Sequence, residues 1–80
     1  MAFASLHITK PANRIIYING DYENPAGNSS TDSITVPSGG CIAETLNGDR
    51  KVDWRKKFRV GPRDTEITVE LDPVDPPQKV

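Results

Sequence analysis

The stretch that decides the fold covers residues 41–54 and reads CIAETLNGDRKVDW. At its centre, Asn47-Gly48 is the dipeptide preferred in two-residue type I′ turns between antiparallel strands. Directly opposed residues of such a pair share a face, and a slip by one residue would reverse every side chain. The resulting register has one apolar face and one face with an opposite-charge pair. The predicted pairs are Cys41 with Trp54, Ala43 with Val52, and Glu44 with Lys51.

A second Asn-Gly pair, Asn19-Gly20, predicts another hairpin further toward the N-terminus. The same construction places the two tyrosines of the chain opposite each other. Both faces of this segment are apolar on one strand, so the pattern leaves the inner face open. We favour Ile15 and Tyr17 as the inward side chains over Ile16 and Ile18.

Elsewhere the apolar residues alternate with polar ones in short runs, as in Glu66-Ile67-Thr68-Val69-Glu70-Leu71. This period of two is typical of half-buried strands, and no segment has a helical period with caps. The sequence therefore predicts an all-β fold: a small antiparallel β-sandwich, immunoglobulin-like or transthyretin-like, of six to seven short strands. The expected core is Leu6, Ile8, Ile15, Tyr17, Ile34, Val36, Ala43, Val52, Trp54, Phe58, Val60, Ile67, Val69 and Leu71.

The chain has 80 residues, which is the size of one small domain, and its formal net charge is −1. We expect a single β-sandwich domain over residues 1–71. Residues 72–80 contain three prolines and are predicted to be a disordered tail. No secretory signal or apolar run of membrane-spanning length is present, so the default expectation is a cytoplasmic protein without membrane insertion. The alternative is an excised domain of a longer chain, or a chain whose export signal was removed.

The residues that carry chemistry are few. One cysteine and one histidine provide neither a disulfide nor a zinc ligand set, and no phosphate-binding glycine loop follows a strand. We expect His7 on a solvent-facing strand position, and Cys41 as a buried, inert thiol. The sequence predicts no catalytic residues, no metal and no cofactor, and hence a protein that is not an enzyme.

The segment 50–63 stands out because it holds seven basic residues against one acidic residue, a local net charge of +6. A solvated strand that resists edge-to-edge pairing explains such a row, as does a surface for an acidic protein, a glycan or nucleic acid. Nucleic acid is the weaker alternative because Trp54 and Phe58 are predicted on the face opposite the basic row. The candidate partner-binding residues are Lys51, Arg55, Lys57, Arg59 and Arg63.

The order of turns resembles that of the bacterial PEGA domain, a small β-sandwich module. The resemblance covers roughly residues 4–71. Its best matches are Tyr17-Ile18-Asn19-Gly20 at a strand end, the turn Val36-Pro37-Ser38-Gly39 and the alternating strand 66–71. The chain departs from the pattern where Pro11-Ala12-Asn13-Arg14 replaces the family's Pro-Glu-Gly-Ala motif. It departs again at Asn47-Gly48-Asp49, where the family has a glycine-tyrosine turn.

PEGA-like domains are accessory, non-catalytic modules, often attached to surface, signalling or transport proteins. The resemblance therefore implies an interaction module that binds another protein or a cell-surface component. It carries over no catalytic residue. A nucleic-acid-binding β domain that uses the basic strand 50–63 is the alternative function.

Overall fold

The structure is a computed structural model that describes residues 3–9, 14–28 and 33–80. These residues form seven β-strands and no helix, so none of their segments is a helix long and apolar enough to cross a membrane. The strands are β1 (Phe3–Thr9), β2 (Tyr17–Ile18), β3 (Ser33–Pro37), β4 (Gly39–Leu46), β5 (Lys51–Val60), β6 (Glu66–Glu70) and β7 (Asp72–Lys79).

The strands form two sheets, which we call sheet A and sheet B. Sheet A has the order β3-β1-β6, and sheet B has the order β2-β4-β5-β7. The prediction of a small all-β, sandwich-like fold with six to seven strands is confirmed. One pair differs from the expected antiparallel arrangement, because β1 and β6 run parallel, from Ser5 opposite Glu66 to Thr9 opposite Glu70. A parallel pair needs a long connection, and here that connection is the whole of β2 to β5.

The core lies between the sheets and draws on both of them. Each aliphatic side chain removed from water there contributes about 1.5–3 kcal/mol. Most of the predicted core residues are buried, and four others are half-buried and pack against them. The buried cluster is Ala4, Leu6, Ile8, Ile16, Val36, Cys41, Ala43, Val60, Val69 and Leu71, and the half-buried predicted members are Ile34, Trp54, Phe58 and Ile67.

The favoured inner face of the β2 segment was wrong. Ile16 is completely buried and Ile18 packs against the core, whereas Ile15 is 37% exposed. Tyr17 is buried, but it pairs with Glu44 of β4, on the side of sheet B that faces away from the core. Tyr17 on the outer side is thus buried like Ile16 on the inner side, whereas Ile15 is not.

The predicted register of the β4–β5 hairpin was also wrong. Cys41 lies opposite Phe58, and Glu44 lies opposite Arg55. The connection is a three-residue loop, because the Asn47 N–H donates to the carbonyl of Lys51 at 2.9 Å. Arg50 takes the left-handed φ of 56° that such loops require, while Gly48 has no positive φ and so cannot form a type I′ turn.

A β-bulge then changes the phase of β5. Its ladder with β4 runs from Trp54 opposite Thr45 directly to Val52 opposite Leu46, which leaves Asp53 unpaired. Past the bulge, successive side chains point to the opposite faces from those that strict alternation predicts. Val52 is fully buried nonetheless, but outside the main core cluster.

The turn predicted at Asn19-Gly20 forms without the predicted hairpin. Both residues have positive φ, 54° and 76°, and the Asp21 N–H donates to the Ile18 carbonyl at 3.1 Å. This is the geometry of a type I′ turn. Residues 21–28 form no strand, however, and β2 pairs with β4 instead. Of the segment Pro11-Ala12-Asn13-Arg14, residues 11–13 lie outside the described part of the chain.

The proline-rich end, expected to be a disordered tail over 72–80, is instead a strand at the edge of sheet B. Asp72–Lys79 forms β7, which pairs antiparallel with β5. The ladder joins Pro73 to Trp54 and Gln78 to Val52, so the residues between them bulge away from β5. An edge position suits prolines, because they lack the N–H that a central strand must donate.

Candidate interaction surface

The five candidate partner-binding residues do not form one row. Arg55, Lys57 and Arg59 alternate along β5 on the outer face of sheet B, opposite Glu44, Ile42 and Gly40 of β4. Lys51 lies beyond the bulge, so it no longer shares that face. Arg63 lies in the exposed turn between β5 and β6. The prediction that Lys51 faces the same way as the others is therefore wrong.

Arg55 is neutralised within the molecule. Its Nε and Nη2 atoms lie 3.0 and 2.9 Å from Glu44 Oε2, and its Nη1 donates to Gln78 Oε1 at 2.8 Å. Glu44 is only 3% exposed. A buried carboxylate with ionised and hydrogen-bonded partners is tolerated, but it is costly without them. Arg55 thus stabilises the sheet and connects β4 to β7 rather than offering a free charge.

A tyrosine pair covers the other side of the same carboxylate. The Tyr22 hydroxyl donates to Glu44 Oε1 at 2.8 Å, and its ring lies 5.8 Å from that of Tyr17 at a tilt of 57°. Such tilted contacts are a favoured geometry for aromatic pairs. Partial burial, followed by the hydrogen bond to Glu44, raises the pKa of Tyr22 above its usual 10.0. The two tyrosines therefore face each other, as the sequence predicts.

A second charged network fixes the bulge in β5. Asp53 accepts a hydrogen bond of 2.6 Å from the Thr45 hydroxyl, and its Oδ2 lies 2.8 Å from Arg14 Nη2. Arg14 also donates through Nη1 to the Leu46 carbonyl at 2.9 Å. The residue that the bulge displaces from the ladder is thereby fully used inside the fold, so we assign it no role in binding.

The cations that remain available are distributed unevenly. Lys56 pairs with Asp72 at 3.1 Å on the surface. In the part of the chain that the structure describes, the side chains of Lys57 and Arg59 make no hydrogen bond or ion pair, and the same holds for Lys51 and Arg63. Of these four cations, Lys57 and Arg59 stand together, two residues apart on one strand face. They are the part of the predicted basic row that the fold leaves free as a pair.

A shallow groove of about 710 Å³ lies beside this pair. Lys57 lines the groove together with residues from the β2 turn and from β4. Half-buried Ile42 gives it apolar contact area on the outer face, and at Gly20 and Gly40 no heavy atom lies within 4 Å of where a Cβ would stand. The groove thus combines a cation with apolar walls, which suits an amphipathic partner. Its lining is Asn19, Gly20, Tyr22, Gly40, Cys41, Ile42, Glu44, Arg55, Lys57 and Phe58.

The two other residues of chemical interest lie apart from each other. His7 is exposed on β1, as predicted, and its Nε2 lies 3.4 Å from Glu66 Oε1. Cys41 is buried, as predicted, and its Sγ lies 3.7 Å from the Pro37 carbonyl oxygen. The sequence prediction paired Glu44 with Lys51, whereas the structure places it at the centre of a network with Arg55 and Tyr22. Its only signal was a carboxylate on a predicted strand beside a strand rich in basic residues.

Comparison of the chain with protein-family models, with curated proteins and with solved structures finds no match.

Proposed function

We propose that this protein is a non-catalytic interaction module that binds an acidic segment of another protein through the outer face of β4 and β5. The observation that carries the proposal is the unpaired couple of Lys57 and Arg59 beside an open groove, on a face where Arg55 is already neutralised. Two like charges held close on a rigid strand attract a carboxylate-rich partner. The PEGA-like order of turns supports an accessory role.

Nucleic acid fits this surface less well. Base recognition on a β surface uses exposed aromatic rings as stacking platforms along a basic groove. Here Trp54 and Phe58 are on the core side of β5, where both pack against the buried cluster. Tyr17 and Tyr22 are already in contact with each other. The outer face therefore offers phosphate-attracting cations without a stacking platform.

The test is a fluorescence-anisotropy titration with two labelled probes, a peptide of alternating Glu and Val residues and a single-stranded DNA. The charge-reversed variant is Lys57→Glu with Arg59→Glu. Its control, Lys51→Glu with Arg63→Glu, changes the net charge by the same amount at positions that the fold separates. We expect the peptide to bind the natural protein and the control, and to lose most of its affinity for the first variant.

Equal losses in both variants would show an effect of net charge alone and overturn the proposed surface. Binding of DNA in preference to the peptide, with an affinity that falls steeply between about 50 and about 200 mM salt, would favour the nucleic-acid function instead.

A further inference from the structure

We infer that the acidic segment binds as an added β-strand at the uncovered end of β4, centred on Gly40. This inference rests on the proposed function, and it specifies how the partner is held. Strand addition supplies affinity through main-chain hydrogen bonds and specificity through alternate side chains. The uncovered edge, the direction of its backbone groups and the free cations beside it each support the inference.

The first observation is a mismatch in strand length. β4 has eight residues and pairs with β5 along its whole length, whereas β2 covers only Ala43 and Glu44 on the other edge. The Asn19-Gly20 turn extends this cover by one position, to Ile42, and then leads the chain away. Among the described residues, none pairs with the β4 edge at Gly40.

The second observation is the direction of the backbone groups. The Ile42 N–H donates to the Asn19 side chain at 2.9 Å, and the Ile42 carbonyl accepts from the Asn19 N–H at 2.9 Å. Both groups thus point to the β2 edge. Backbone groups two residues apart on a strand point to the same edge. The N–H and carbonyl of Gly40 therefore face the open edge, ready to receive a partner strand.

The third observation is the space and charge around that edge. A Cβ added at Gly40 or at Gly20 would meet no heavy atom within 4 Å, so the outer face beside this edge has room for the side chains of an added strand. Arg59 lies opposite Gly40 and Lys57 opposite Ile42, both on the outer face. An added strand would present alternate side chains to these two cations. Acidic residues at alternate positions complement them.

The backbone also limits the added strand. Gly39 has a φ of 116°, which takes β4 out of regular extended geometry immediately before Gly40. The edge therefore offers one residue with two main-chain hydrogen bonds, and the side-chain contacts must supply the rest. A short segment of alternating acidic and apolar residues meets these conditions.

The experiment compares the Glu-Val peptide with two versions that carry backbone N-methyl groups at alternate positions, in opposite phases. Methylation in the phase that faces Gly40 removes a main-chain hydrogen bond, and we expect it to weaken binding about 3- to 10-fold. Methylation in the other phase should change little. In the protein, Gly40→Leu should block the site, whereas Thr35→Leu on the outer face of sheet A should not.

Amide hydrogen exchange measured by NMR gives an independent result. Binding should slow exchange at the Gly40 amide and leave the Gly48 amide, at the far hairpin, unchanged. If neither methylated peptide is weakened and Gly40→Leu still binds, strand addition is overturned. The proposed function then stands, provided that Lys57→Glu with Arg59→Glu still abolishes binding. If the unmethylated peptide does not bind at all, both proposals fail.

Discussion

The outer faces of the two sheets differ in how far their side chains are buried. On sheet A, Ser5, His7, Thr68 and Glu66 are exposed or half-exposed, and the ion pair of His7 with Glu66 lies at the surface. On sheet B, Glu44 lies at an equivalent outward position of its strand and yet is buried. The outer face of sheet A is thus exposed to solvent, whereas part of the outer face of sheet B, around Glu44, is covered by other residues.

The cover on sheet B comes from the segment around β2. After the Asn19-Gly20 turn the chain folds back, and the Ala26 N–H donates to the Ile16 carbonyl at 2.9 Å. This return places Tyr22 over Glu44. The comparison teaches that period-two patterns locate the shared core, but that short irregular segments decide which outward positions are buried.

The largest expected effect distinguishes the side chain that faces the core, Ile16, from its neighbour Ile15 on the other face. Ile16→Ala should lower the free energy of unfolding by about 2–5 kcal/mol, because its side chain is fully buried. Ile15→Ala, the same change one residue earlier, should cost less than about 1 kcal/mol. Urea unfolding followed by Trp54 fluorescence measures both. If Ile16→Ala does not fold, Ile16→Val at about 0.5–1.5 kcal/mol replaces it. Equal losses at 15 and 16 would contradict the assignment of faces.

The next effect compares two glutamates on the two outer faces. Glu44→Ala leaves Arg55 and Tyr22 without their shared partner, and it should cost about 2–3 kcal/mol. This lies below the usual range for a broken buried pair because the Arg55 side chain is 30% exposed and can be hydrated. Glu66→Ala should change stability by no more than about 0.5 kcal/mol. The same urea titration decides, and a silent Glu44→Ala would contradict a covered layer on sheet B.

A smaller effect compares two aspartates in sheet B. Asp53→Ala removes the acceptor of both Thr45 and Arg14, and we expect a loss of about 1–3 kcal/mol. Asp72→Ala breaks only the exposed pair with Lys56, so the loss should stay under about 1 kcal/mol. Thermal unfolding by circular dichroism gives both values. Comparable losses would show that the bulge network contributes no more than a surface ion pair.

The smallest effect is a pH dependence carried by Tyr22. Because its pKa is raised in the folded protein, the folded state retains the phenol proton longer than the unfolded state does. The resulting stability is fully present below about pH 10 and is lost as the pH rises through the folded pKa. Tyr22→Phe should remove this contribution. The difference between the ultraviolet titrations of the natural protein and Tyr22→Phe gives the titration of Tyr22. If the free energy of unfolding depends on pH in the same way in both proteins above pH 10, the prediction is contradicted.

Sequence patterns succeed where one face alone is buried. In β1, β3 and β6, apolar residues such as Leu6, Val36 and Val69 alternate with polar ones, and the structure buries them. They fail where buried residues lie on both faces of a segment. The four consecutive apolar residues at 15–18 do not show which alternate side chains face the core. In the structure, long-range contacts of this segment with sheet B determine which of its side chains face the core.

The candidate surface was predicted in part for a related reason. The choice of Arg55, Lys57 and Arg59 rests on strict alternation, which holds on that side of the bulge. The bulge at Asp53 and the three-residue loop shift everything before it, so Lys51 is separated from the group. Neither the bulge nor the loop is visible as a periodic pattern in the sequence. The ion pair of Arg55 with Glu44 depends in turn on the strand register that the loop determines.

The parallel pairing of β1 with β6 has a consequence for folding kinetics. Ser5 pairs with Glu66, a separation of 61 residues along the chain, and β1 is the central strand of its sheet. A growing chain can close the β4–β5 hairpin early, but it cannot complete sheet A until Glu70 has been synthesised. Such non-local pairing slows folding. Until that moment β1 lacks one of its two neighbouring strands, and its unpaired edge is open to pairing with other chains.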